Sequence, residues 1–121
     1  MKTPYLLIDL KKIKHNARVI SDLCRRKNIR LWGVTKVVCG NPLIGKAIIE
    51  SGVFGLADSR ISNLERLRIG GIKEELMLLR IPSLKEAEKV TSLAQVSLTS
   101  ELDVIKKLSQ FGEKNLSLIH I

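Results

Sequence analysis

Lys36 is the residue with the most chemistry to offer in this chain. It closes the run Leu31–Lys36, whose apolar core LWGVT is the pattern of a buried parallel strand. Beyond it, Gly40 supplies a turn, Asn41 an N-cap, and Pro42 the first position of a helix. The lysine therefore stands at the C-terminal end of a strand, just before a strand-to-helix turn. Parallel α/β folds build their sites at that end. Two behaviours are open to it. A solvated ammonium simply reaches past the strand into water. A desolvated one loses its proton more readily and, as a neutral amine, attacks carbonyls to form a Schiff base. Cys39 has no histidine nearby to activate it and reads as a small packing residue, while His15 falls on the surface of a helix.

Polar groups also follow the other predicted strands: Asp58, Ser59 and Arg60; then Arg80; then Thr99, Ser100 and Glu101. In a parallel sheet all of these lie at one edge. Helix capping accounts for Ser59, Ser83 and Ser100. It does not account for Lys36 or Arg80. Two cations above one mouth, beside several helix N-termini, suit a phosphorylated anionic ligand.

These side chains need a repeating frame to hold them. Tyr5–Asp9 reads as a first strand, and Lys11–Lys27 as a helix with Ile13, Ala17, Ile20 and Cys24 on one stripe. Leu31–Lys36 is the second strand. A helix follows over Pro42–Ser51, with Ile44, Ala47 and Ile48 inward and Gly52 just past its end. Phe54–Ala57 is the third strand, and Ser59 caps a helix to Ile69 carrying Ile61, Leu64 and Leu67. Leu76–Leu79 is the fourth. Ser83 and Glu86 have the spacing of a capping box for a helix with Ala87, Val90 and Leu93 inward. Val96–Leu98 is the fifth, and Ser100 caps a helix carrying Leu102, Ile105 and Leu108.

Strand and helix alternate at nearly even spacing, which means an α/β fold with a parallel sheet. Doubly wound sheets and (β/α)8 barrels both fit, and the short, even strands favour the barrel. A complete barrel takes about 250 residues. The 121 residues here would supply the N-terminal half of a (β/α)8 TIM-type barrel, leaving sheet edges and part of a core uncovered.

Composition narrows the class. Hydrophobic residues make up 45% and charged residues 27%, a globular balance. Aromatics are only 3%, so the core must be aliphatic. The net charge of +9 comes mostly from lysines and arginines on outer helix faces. Aromatic side chains to stack on bases are nearly absent, so no nucleic-acid partner is expected. No stretch has the length of a membrane span, and the N-terminal apolar run is too short for a signal peptide. A cytoplasmic protein without membrane contact is expected. Cys24 and Cys39 lack metal-ligand spacing and read as free thiols, with no metal centre.

Five ordered blocks carry a resemblance: IDLKKIKHNAR at Ile8–Arg18, VTKVVCGNP at Val34–Pro42, LADSRISNLERL at Leu56–Leu67, LMLLRIP at Leu76–Pro82 and SLTSELDVIKKLS at Ser97–Ser109. Together they resemble the N-terminal barrel of the alanine racemase-like, pyridoxal-phosphate-dependent enzymes, and within these the ornithine racemase branch. The resemblance implies that Lys36 holds pyridoxal 5'-phosphate as a Schiff base and, once freed by an amino-acid substrate, acts as one base. It implies a second acid/base, a tyrosine, from a further domain of a partner subunit, and hence a homodimer of the full-length protein. Tyr5, the single tyrosine here, is not at that position. Lys36, Arg80, Ser59 and Ser100 are the expected cofactor-binding residues. Alanine racemases proper carry a tyrosine shortly after the lysine; the run here is VVCG, which makes alanine a poorer expectation than a basic amino acid such as ornithine. A single-domain pyridoxal-phosphate-binding barrel of the cofactor-homeostasis kind is the alternative. In those proteins the third strand typically ends in a GEN-type sequence, where this chain has LADSR.

The final residues, LSLIHI at Leu116–Ile121, read at face value as a sixth strand. They also look like the translation of a transposon-end adapter used in preparing sequencing libraries. The expected organisation is a partial barrel over residues 1–115 with an artefactual tail at 116–121, and a fragment inactive on its own.

Overall fold

The computed structural model describes residues 2–112 and the backbone of 117–120. Its centre is a parallel sheet of β1 (Trp32–Val34), β2 (Gly55–Asp58), β3 (Glu75–Leu78), β4 (Val96–Thr99) and β5 (Ser117–His120), in the order β1-β2-β3-β4-β5. Each strand pairs with the next in sequence, in registers such as Gly33↔Leu56, Leu56↔Leu76 and Leu78↔Ser97. The helices are α1 (Leu10–Arg26), α2 (Pro42–Glu50), α3 (Ile61–Ile69), α4 (Ala87–Leu93) and α5 (Leu102–Gly112). Sequential parallel strands with right-handed crossovers carry every connecting helix to the same face of the sheet. This is the winding of the α/β barrel expected from the strand spacing.

The core lies between that face and the helices. Leu56, Leu76 and Leu78 point up from the sheet to meet Leu64 and Leu67 of α3 and Ala87 and Val90 of α4, all essentially buried. Leu108 and Val104 of α5 complete it. Each leucine removed from water contributes about 2 kcal/mol. No aromatic ring belongs to this cluster, as the composition requires.

Several elements differ from the sequence-based expectation, each for a physical reason. Tyr5–Asp9 is extended but forms no strand; among the described residues no strand pairs with it, and Leu6 and Leu7 are exposed. Asp9 instead caps α1, its Oδ1 accepting from Lys11 N at 3.0 Å and Lys12 N at 3.2 Å. The apolar stripe of α1 is only partly covered. Ile20 is half exposed, and Ser21 is the residue of α1 that is buried. β1 is shorter than Leu31–Lys36 and not fully buried: Val34 lies on the helix-free face at the sheet edge and is exposed.

The helix begun at Ser83 is two pieces, a 3-10 turn over Leu84–Glu86 and then α4. Its capping box is present as expected, with Ser83 N donating to Glu86 Oε2 at 2.8 Å. On α5 the buried face is Val104 and Leu108, while Leu102 is exposed. Ser59 and Ser100 are not the capping oxygens expected of them. Asp58 Oδ1 accepts from Arg60 N at the start of α3, and Thr99 Oγ1 accepts from Glu101 N at the start of α5. The organisational boundary expected at 115/116 lies outside the described residues.

Candidate functional site

Lys36 follows directly on the most firmly held residue of the sheet edge. Thr35 is fully buried. Its N–H donates to Ala57 O at 3.0 Å, and its carbonyl accepts from both Val38 N and Gly40 N at 3.1 Å. Its hydroxyl donates to Asp58 Oδ2 at 2.8 Å. Lys36 then opens a 3-10 turn, Lys36–Val38, and its carbonyl accepts from Cys39 N. β1 ends at Val34, and Thr35, at φ -106° and ψ 2°, turns the chain out of the strand, so Lys36 stands just past the strand's C-terminal end. It is exposed, and among the described residues no carboxylate pairs with its ammonium.

The turn after Lys36 is fixed from the other side by α3. Cys39 and Gly40 both take left-handed backbone, at φ 53° and 63°. Only glycine fits at position 40, where a Cβ would stand 2.7 Å from Asn63 O. Arg66 Nη1 donates to Cys39 O at 2.8 Å. Asn41 then caps α2 through Leu43 N at 2.9 Å, with Pro42 at the first helical position, as their types require.

The other expected site residues stand on the same rim. Ser59 is the first residue after β2, Arg80 the second after β3, and Ser100 the first after β4. Ser59 and Arg80 share an open groove of about 750 Å³ with Arg60, Ser62, Ser83 and Glu86. Lys36 and Ser100 do not line that groove. Within it, the Ser83 N–H and hydroxyl hold the Glu86 carboxyl below its usual range, opposed by slight burial and helped by the charge of Arg80. The rim thus offers a free amine at one strand end and, at the next two, a groove with guanidinium and hydroxyl groups. These are the donor types that a phosphorylated aldehyde calls for, an amine for its carbonyl and cations for its anionic end, with Lys36 standing outside the groove.

The sequence marks Asp58 only as one of the polar groups at a strand end, and the parts played by Thr35, Asn63 and Arg66 went unread. A signal existed for Asp58, a carboxylate residue ending an otherwise apolar strand, but its partners lie far away along the chain.

Comparison with known proteins gives consistent results. The family model for the alanine racemase N-terminal domain matches residues 8–121. A lysine racemase of Thermotoga maritima is 34% identical over all of this chain and 35% of its own length. An ornithine racemase of Acetoanaerobium sticklandii is 39% identical over 97% of this chain and 32% of its own. The chain therefore spans about a third of these curated relatives. Among solved structures, D-threonine aldolase from Filomicrobium marinum aligns over 98% of this chain and 34% of its own, with a TM-score of 0.80 at 19% identity. Alanine racemase from Oenococcus oeni aligns over 91% and 32%, with a TM-score of 0.72 at 23% identity. No described helix is long and apolar enough to cross a membrane.

Proposed function

This chain belongs to the alanine racemase N-terminal domain family, and on that footing we propose that it forms the lysine-bearing part of a pyridoxal-phosphate-dependent racemase acting on a basic amino acid. The observation that carries the reading is the placing of Lys36, an exposed amine at the C-terminal end of a parallel strand that no carboxylate among the described residues pairs with, followed by a hydrogen-bonded turn. Similarity to a lysine racemase and an ornithine racemase supports a substrate with a cationic side chain.

In this reading Lys36 Nζ is the covalent anchor for pyridoxal phosphate. The cofactor, when bound, supplies an electron sink that makes the α-proton of an amino acid removable. With substrate bound to the cofactor, the Lys36 amine would lie free on one side of the substrate. There it accepts and returns the α-proton as a general base and acid. Inverting the configuration needs a second acid/base on the opposite side, which these residues do not supply; Tyr5, the single tyrosine, lies at the far N-terminus. Arg80 and Ser59 offer anion contacts in the groove at the neighbouring strand ends. Full-length chains pair as homodimers in this reading, and the protein is cytoplasmic.

The experiment is racemisation of L-ornithine and L-lysine by the full-length protein, followed by chiral chromatography, with wild type and Lys36→Ala side by side. The variant is expected to lose activity at least about a thousandfold and to retain no borohydride-trapped cofactor. Retention of both by Lys36→Ala would overturn the assignment.

A further inference from the structure

Asp58 is fully buried at the end of β2, and both of its oxygens act as acceptors. Oδ1 takes Arg60 N at 2.9 Å and Asn63 Nδ2 at 3.0 Å. These contacts shape the first turn of α3, and a serine or threonine would shape it at a smaller desolvation cost. Oδ2 does something that capping does not explain. It reaches back across the sheet edge to the Thr35 hydroxyl at 2.8 Å. Thr35 has no part in α3. It is the residue before Lys36, and its own carbonyl holds both Val38 and Gly40.

Asn63 closes the circuit. It donates to Asp58, and its backbone oxygen is the atom against which Gly40 packs. The turn that carries Lys36 is thus gripped at its start through Thr35 and at its end through Asn63, and one carboxyl joins the two. We propose that Asp58 is a positioning residue for Lys36, fixing the direction of the lysine's strand end through the Thr35 hydroxyl and the Asn63 amide. This rests on the reading of Lys36 as the cofactor anchor and adds to it the residue that orients the anchor.

Thr35→Val is the discriminating variant. It removes the Oδ2 link and leaves both Oδ1 contacts at α3 in place. In the full-length protein, stripped of cofactor with hydroxylamine, the measurement is the rate at which added pyridoxal phosphate becomes borohydride-trapped at Lys36. Peptide mass spectrometry reads that rate against exposed Lys11 in the same molecule. A merely structural loss changes melting temperature without changing this ratio. Thr35→Val is expected to lower the Lys36/Lys11 ratio about tenfold, as expected for a small misplacement of a reacting group. Thr35→Ser, which keeps the hydroxyl, restores most of it. Asp58→Ser, which keeps a hydroxyl to accept at α3 but removes the second oxygen that Thr35 uses, lowers it at least about threefold and provides the test if Thr35→Val does not fold. Wild-type labelling at Lys36 with unchanged ratios in Thr35→Val and Asp58→Ser would overturn the positioning role alone. A wild type that labels Lys36 no faster than Lys11 would overturn the anchor reading, and this role with it.

Discussion

Arg68 donates from Nη2 to Gln95 Oε1 at 2.8 Å, and the same oxygen accepts the Leu76 N–H at 2.9 Å. The guanidinium also serves the carbonyls of Leu93, Ile72 and Glu74. One side chain thereby joins the end of α3, the start of β3, the end of α4 and the approach to β4, at the end of the sheet opposite Lys36. Arg68→Ala leaves those carbonyls short of donors and is expected to cost about 2–3 kcal/mol. Arg68→Lys recovers only part of that, since a point charge cannot reproduce the fork. Urea unfolding midpoints of the three proteins check it.

Gly40→Ala is expected to be damaging out of proportion to one methyl group. The position needs φ 63°, and the added Cβ would meet Asn63 O at 2.7 Å. The conformation alone costs about 1–2 kcal/mol, and the backbone contact adds to it. Gly40 belongs to the turn after Lys36 and packs on Asn63 of α3, so cofactor trapping at Lys36 should fall along with the melting temperature. Asn41→Ala, one residue on, should lower stability by about 1 kcal/mol through its lost cap, with trapping largely retained. Parallel melting and trapping measurements separate the two.

The Ser83–Glu86 capping box predicts a modest pH dependence. Hydrogen bonds from Ser83 hold the Glu86 carboxyl below its ordinary value of 4.5. A lowered folded-state pKa means stability that is present above the unfolded-state value and lost as pH falls through the folded one. The pair is solvent-exposed and screened, so the effect is about half a kcal/mol. Glu86→Gln should flatten the acid limb of stability below about pH 5 and leave the neutral limb slightly lower. Melting temperatures between pH 3 and 7, roughly the carboxylate titration range, check the sign.

Lys36→Arg tests whether charge or amine chemistry matters at the rim. A guanidinium keeps the positive charge but is not deprotonated in proteins and forms no stable adduct with an aldehyde. The variant should melt with the wild type, because Lys36 is exposed and pairs with no described carboxylate. Its borohydride-trapped cofactor should be absent. Trapping at the wild-type level would mean that another lysine is the anchor.

What the sequence disclosed was whatever depends on neighbours along the chain. Asn41–Pro42 announced the start of α2, Ser83 and Glu86 their box, and Leu64, Leu67, Ala87 and Val90 the inward faces of α3 and α4. The position of Lys36 at a strand end was legible for the same reason. Tyr5–Asp9 misled because its short apolar run reads as a buried strand, yet a strand exists only where a partner pairs with it. Ser59 misled because local propensity favours serine at a cap. The choice of Asp58 depends on Thr35, a partner 23 residues earlier. The grip of Asn63 and Arg66 on the Lys36 turn was hidden likewise, since it exists only once α3 has packed beside it.

The strictly sequential strand order has a consequence for how the chain comes together. Each described pairing joins strands only about twenty residues apart, so none of these pairings waits on a distant segment. On a ribosome, each new strand would meet an edge already laid down by the one before it. The surroundings of Lys36 mature in the same sequence. β1 emerges first, yet the contact of Arg66 with its turn, and that of Asn63 with Asp58, can form only after α3 has been made. In a nascent chain Lys36 is therefore present well before its turn can be held, by a helix synthesised some two dozen residues later.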